Sequence, residues 1–71
     1  MSDTDKRRPG QLEVWWHEQG PRGGDNPKAM EVSGVMGARS VSRALLREPD
    51  RYHAVKVMRW NGHKWELVKR P

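Results

Sequence analysis

The stretch Arg51-Tyr52-His53-Ala54-Val55-Lys56-Val57-Met58-Arg59-Trp60-Asn61-Gly62-His63-Lys64-Trp65-Glu66-Leu67-Val68-Lys69 decides the fold. Val55 and Val57 alternate with polar neighbours, the period-two pattern of a strand buried on one face, here read over Arg51–Arg59. His63 to Lys69 reads as its partner. Asn61-Gly62 between them is the strongest short hairpin signal, because both residue types accept positive φ. A two-residue loop would pair Trp60 with His63 and set Val57 opposite Glu66, mixing valine with carboxylate on one face. A three-residue loop, with Gly62 left-handed, pairs Arg59 with His63, Val57 with Trp65 and Val55 with Leu67. Lys56 then meets Glu66, and Ala54 meets Val68. Cross-strand pairs of these kinds contribute ~0.2–1 kcal/mol each. The second register separates an apolar face from a polar one and is the expectation. It leaves Trp60 at the hairpin tip, outside the sheet.

Upstream, Ala38, Val41, Ala44 and Leu45 recur at helical spacing and predict a helix from about Val35 or Met36 to Glu48. Pro49 ends it, since the residue before a proline avoids the helical region. Ser40 is a candidate N-cap if the helix starts late. Before the helix, Gln11–Glu18 alternates again, with Leu12, Val14 and Trp16 on one face and Glu13, Trp15 and His17 on the other. Residues 19–28 hold three Gly and two Pro and read as a mobile loop. Ala29–Val35 then reads as a second strand, with Met30 and Val32 on one face.

These elements predict an α+β fold: a small antiparallel sheet in β-β-α-β-β order with one helix packed on a face. The expected core is Leu12, Val14, Trp16, Met30, Val32, Val41, Leu45, Val55, Val57, Trp65 and Leu67. Residues 1–10 read as a disordered basic tail carrying Lys6-Arg7-Arg8, and residues 11–71 as one domain.

Composition narrows the function classes. A chain of 71 residues has no room for a second domain. Without cysteine there is no disulfide framework, thiolate metal site or catalytic thiol. No apolar run approaches the ~20 residues of a membrane span, and no apolar stretch follows the N-terminal charges as in a secretory signal. The expectation is a small cytoplasmic protein with no membrane partner. The apolar stock is thin: seven Val, four Leu, four Met and four Trp, with no Ile. Association into a homodimer is one way to complete such a core.

Catalysis finds little support. His-Glu-x-x-His, Gly-x-Ser-x-Gly and P-loop patterns are all lacking, and Gly20-Pro21-Arg22-Gly23-Gly24 lacks the Lys-Ser/Thr of a phosphate loop. His17, His53 and His63 are scattered and read as surface histidines. They would reach a metal only if the fold gathered them, so no metal or cofactor is expected.

Charge is more informative. The chain carries 14 Lys and Arg against 9 Asp and Glu, a net +5. Residues 1–36 hold five basic and six acidic groups, whereas residues 37–71 hold nine basic and three acidic. Within the helix, Arg39, Arg43 and Arg47 recur every four residues, opposite the apolar face. Such a row suits the phosphates of a nucleic acid, which Arg contacts bidentately. Lys56, Arg59, Trp60, His63 and Lys64 of the hairpin interleave cations with rings, the pattern on which single-stranded bases stack. Arg22 in the loop would order on a partner.

The expected function is therefore a non-enzymatic module that engages a DNA or RNA backbone through the arginine-striped helix and the Trp-tipped hairpin. The alternative is a protein-interaction module. In size and composition the chain is similar to tiny accessory proteins, such as phage-encoded regulators or inhibitors, that occupy an acidic or nucleic-acid-binding surface of a larger host complex.

Overall fold

A computed structural model describes residues 8–68. Apart from Arg8, Pro9 and Gly10, the expected tail lies outside these residues. Those three make a turn in which the Gln11 N–H donates to the Arg8 carbonyl (2.9 Å) and the Gly10 N–H donates to the Trp60 carbonyl (2.7 Å).

The elements are β1 (Leu12–Gln19), β2 (Asp25–Val32), α1 (Val35–Leu46), β3 (Tyr52–Trp60) and β4 (Trp65–Val68). The α+β class and the β-β-α-β-β order are as expected. The sheet runs β2-β1-β3-β4 with every neighbour antiparallel. β2 and β3 thus run parallel with β1 between them, and α1 provides the crossover that parallel strands need.

The first strand follows its alternation. Leu12, Val14 and Trp16 are buried, and with Val57, Ala38 and Leu45 they make the core beneath α1. Val14 is wholly enclosed. Val32, Val41, Tyr52, Val55 and Val68 pack against this core, partly buried. The helix starts at Gly34, whose φ of 105° suits glycine, and no side chain caps it, so Ser40 is not the N-cap. It stops at Leu46, just before Glu48-Pro49. Its buried line is Ala38, Ser42 and Leu45. Ala44, expected on the apolar face, is exposed.

Three further expectations need correction. The 19–28 loop is shorter, because β2 begins at Asp25 and the turn is closed by Gly20 N–H to Gly24 carbonyl at 2.7 Å. Pro27 is tolerated because β2 is an edge strand. Met30, on that edge, is 48% exposed and outside the core. The hairpin register also differs: Trp60 faces Trp65, Arg59 faces Glu66, Met58 faces Leu67 and Val57 faces Val68.

The loop has four residues, Asn61–Lys64, because the Asn61 side chain organises it. Its Oδ1 accepts the N–H of His63 (2.8 Å) and of Lys64 (2.9 Å). Its backbone N–H donates to the Lys64 carbonyl (3.1 Å), and Gly62 takes the required positive φ of 102°. A slip by an odd number of residues turns every β4 side chain to the other face. Val68 therefore joins the helix-side core, Leu67 becomes exposed, and Trp65 moves to the face away from α1. Trp60 is a strand residue only 9% exposed, not a projecting tip.

Candidate functional site

Three groups of side chains carry chemistry. The first is the outer surface of α1. Arg39, Arg43 and Arg47 are exposed along one row, about 6 Å of helical rise apart. Arg43 lies in the last turn and Arg47 at the C-cap, where cations complement the helix dipole. The helix Val35–Leu46 contains no carboxylate. Shallow hollows lie between the arginines: one of about 340 Å³ among Arg39, Ser42, Arg43 and Leu46, another of about 170 Å³ among Met36, Arg39, Ser40 and Arg43. Exposed Met36 and Leu46 flank the row.

The second group lies on the sheet face that α1 leaves open. Trp65 packs edge-on against Trp15 (centroids 5.5 Å apart) and against Trp60 (5.3 Å). Edge-to-face pairs of this kind add ~0.5–1.5 kcal/mol beyond area burial. The Trp15 indole N–H donates to Glu13 Oε1 (2.9 Å), and the Lys56 ammonium stands 5.8 Å from the Trp15 ring. Trp15 faces away from Leu12, as its alternation predicts.

The third group lies at the other end of that open face. His17 Nδ1 is 2.9 Å from Asp25 Oδ2, and His53 Nε2 is 3.0 Å from Asp25 Oδ1. The two rings stack with centroids 5.6 Å apart. A bulge in β3 creates this meeting. Trp15 faces Lys56, but His17 faces His53, so two β3 residues, Ala54 and Val55, oppose Trp16. Ala54 sits at φ 55°, a left-handed conformation uncommon outside glycine. Below the bulge the alternation reverses, and His53 emerges beside His17 rather than beneath α1.

The remaining expected site residues are spread over both ends of the sheet. Arg59 lies on the helix side and pairs with Glu66 (Nη2 to Oε1, 3.3 Å). His63 and Lys64 are exposed in the β3–β4 turn, whereas Arg22 is exposed in the β1–β2 turn at the far end. The structure thus unites the three helix arginines, and Lys56 with the tryptophans, but joins neither set to Arg22. Around the β3–β4 turn, the Asn61 amide donates to Glu66 Oε2 (3.0 Å). That hydrogen bond first, and the Arg59 guanidinium second, hold the Glu66 carboxyl below its ordinary value.

Sequence reasoning passed over Asp25, which lay inside a supposed loop, and treated His17 and His53 as unrelated. No local pattern joins them, because their meeting needs both the β2 pairing and the bulge. Among the described residues no helix is long and apolar enough to cross a membrane. No family model matches the chain, and neither a curated protein nor a solved structure matches it.

Proposed function

We propose that the chain is a small non-enzymatic module that binds nucleic acid, with Arg39, Arg43 and Arg47 contacting successive phosphates. The observation that carries this reading is the exposed arginine row on a helix without a carboxylate. Three arginines spaced about one turn apart on the helix form a cationic edge, and each guanidinium offers paired donors to a phosphate. Binding of this kind is sequence-tolerant and salt-dependent, because each neutralised phosphate releases counterions.

The test is a titration of labelled single- and double-stranded oligomers of mixed sequence at several salt concentrations. The wild type is expected to bind at low salt, with an affinity that falls steeply as salt rises. Arg43→Glu is expected to weaken binding about tenfold or more, or ~1.4 kcal/mol, alike on all sequences. Absence of wild-type binding at low salt refutes the proposal.

A second reading rests on Met36 and Leu46, which are 79% and 61% exposed beside the arginines. Apolar groups set among cations suit an acidic protein surface, where a few desolvated anchors dominate affinity. That reading takes over if no oligomer binds.

A further inference from the structure

We infer that His17, Asp25 and His53 form a binding site for a divalent transition-metal ion, with zinc the best match among common ions. The three side chains come from the adjacent strands β1, β2 and β3. One ligand atom from each lies within 4.8 Å of the other two. Around a tetrahedral zinc with bonds of ~2.0–2.1 Å, neighbouring ligand atoms stand about 3.3 Å apart. The observed His–Asp separations of 2.9 and 3.0 Å run to the two oxygens of one carboxylate, and all three side chains are exposed enough to turn toward a shared ion.

The donor set narrows the ion. Two imidazole nitrogens and one carboxylate oxygen suit zinc, nickel or copper, whereas calcium and magnesium demand oxygen shells. The three side chains are 40–51% exposed, so an ion reaches them directly from solvent. Three protein ligands leave a fourth position for water. The backbone also favours a dedicated arrangement. Ala54 holds a left-handed conformation that residues other than glycine adopt only at a cost, and its consequence is to place His53 beside His17. Because β2 and β3 both pair with β1, the ligands are held near one another before any ion arrives. The site lies on the sheet face opposite the arginine row, so it is independent of the nucleic-acid reading.

The geometry names the donor atoms: the ring nitrogens turned toward Asp25 are His17 Nδ1 and His53 Nε2. The test uses the full chain stripped with chelator. Calorimetric titration with zinc chloride is expected to give saturable one-to-one binding that calcium chloride does not compete away. The unfolding midpoint is expected to rise with zinc, since an ion that binds only the folded state stabilises it. In histidine side-chain nitrogen spectra, His17 Nδ1 and His53 Nε2 shift while the His63 ring does not. His17→Ala and His53→Ala each lose at least tenfold in affinity, and His63→Ala keeps the wild-type value. Circular dichroism checks that the variants fold, and the wild-type spectra need no variant. Non-saturating binding, an equal response of His63, or wild-type affinity in both His17→Ala and His53→Ala overturns the assignment.

Discussion

On the face covered by α1, Leu12, Val14 and Val57 meet Ala38 and Leu45, each placed by simple alternation or by helical period. On the open face, Trp15, Trp60 and Trp65 gather at one end, and His17, Asp25 and His53 at the other. Nothing local brings these open-face groups together. A four-residue turn delivers Trp65, and a one-residue bulge delivers His53. The covered face follows from residue type, whereas on the open face Trp65 and His53 owe their positions to irregularities in the strands. On the open face the irregular positions complete the aromatic and histidine groupings, while regular spacing sets the core and the arginine row.

The sharpest way to break that contrast is to ask whether the open face also stabilises the fold. Trp60 is as buried as Trp16 although no helix covers it. Trp60→Ala is expected to cost about 3–5 kcal/mol, against a total of roughly 4–10 kcal/mol for a chain of this length. Urea unfolding reads the loss directly. A cost under about 1 kcal/mol would mean that the tryptophans lie on the surface without supporting it.

The same contrast explains what was legible beforehand. Alternation from Leu12 to Trp16 identified the buried face of β1 correctly, because a period of two needs no knowledge of distant residues. The arginine row was equally readable, since a spacing of four keeps side chains on one helical side whatever packs beneath. Register was not readable in this way. Asn61-Gly62 signals a tight backbone turn, yet here the Asn61 side chain accepts two N–H groups and widens the loop to four residues. That substitution of a side-chain acceptor for a backbone one reversed the faces of Trp65 and Leu67. The meeting of His17, Asp25 and His53 was hidden further, because it depends on one unpaired strand residue and on a strand start within a Gly- and Pro-rich segment.

Smaller substitutions at two positions sharpen the comparison from each side. On the inner side of the helix, the Ser42 hydroxyl is buried and has no hydrogen-bond partner among the described residues. Ser42→Ala removes that orphan and improves helix propensity, so it is expected to stabilise the chain by about 1 kcal/mol. On the open side, Ala54→Gly relieves the left-handed backbone, offset by greater freedom of the unfolded chain. The expected gain is about 0.5–1 kcal/mol, whereas Ala54→Val, β-branched at positive φ, destabilises. Chemical denaturation measures all three. A loss of stability in Ala54→Gly would show that the strain at the bulge is smaller than the added freedom of the unfolded chain, and would weaken one support of the metal assignment.

The smallest expected effect tests the turn that decides which face Trp65 occupies. Glu66 accepts hydrogen bonds from the Asn61 amide and the Arg59 guanidinium, and its carboxyl is held below the ordinary value of 4.5. A carboxyl whose folded pKa is lowered adds stability that is fully present above the unfolded pKa. That contribution is lost as pH falls through the folded value. Wild-type stability should therefore decline through the acid range below 4.5 partly because Glu66 takes up a proton. Glu66→Gln keeps the shape of the side chain but lacks this titration, so it should be less stable than wild type at neutral pH. The gap should narrow as the solution is acidified. Urea titrations at neutral pH and at successive acid steps give the difference. If the gap stays constant with pH, the Asn61–Glu66–Arg59 linkage does not hold the turn, and the four-residue loop must owe its length to Asn61 and Gly62 alone.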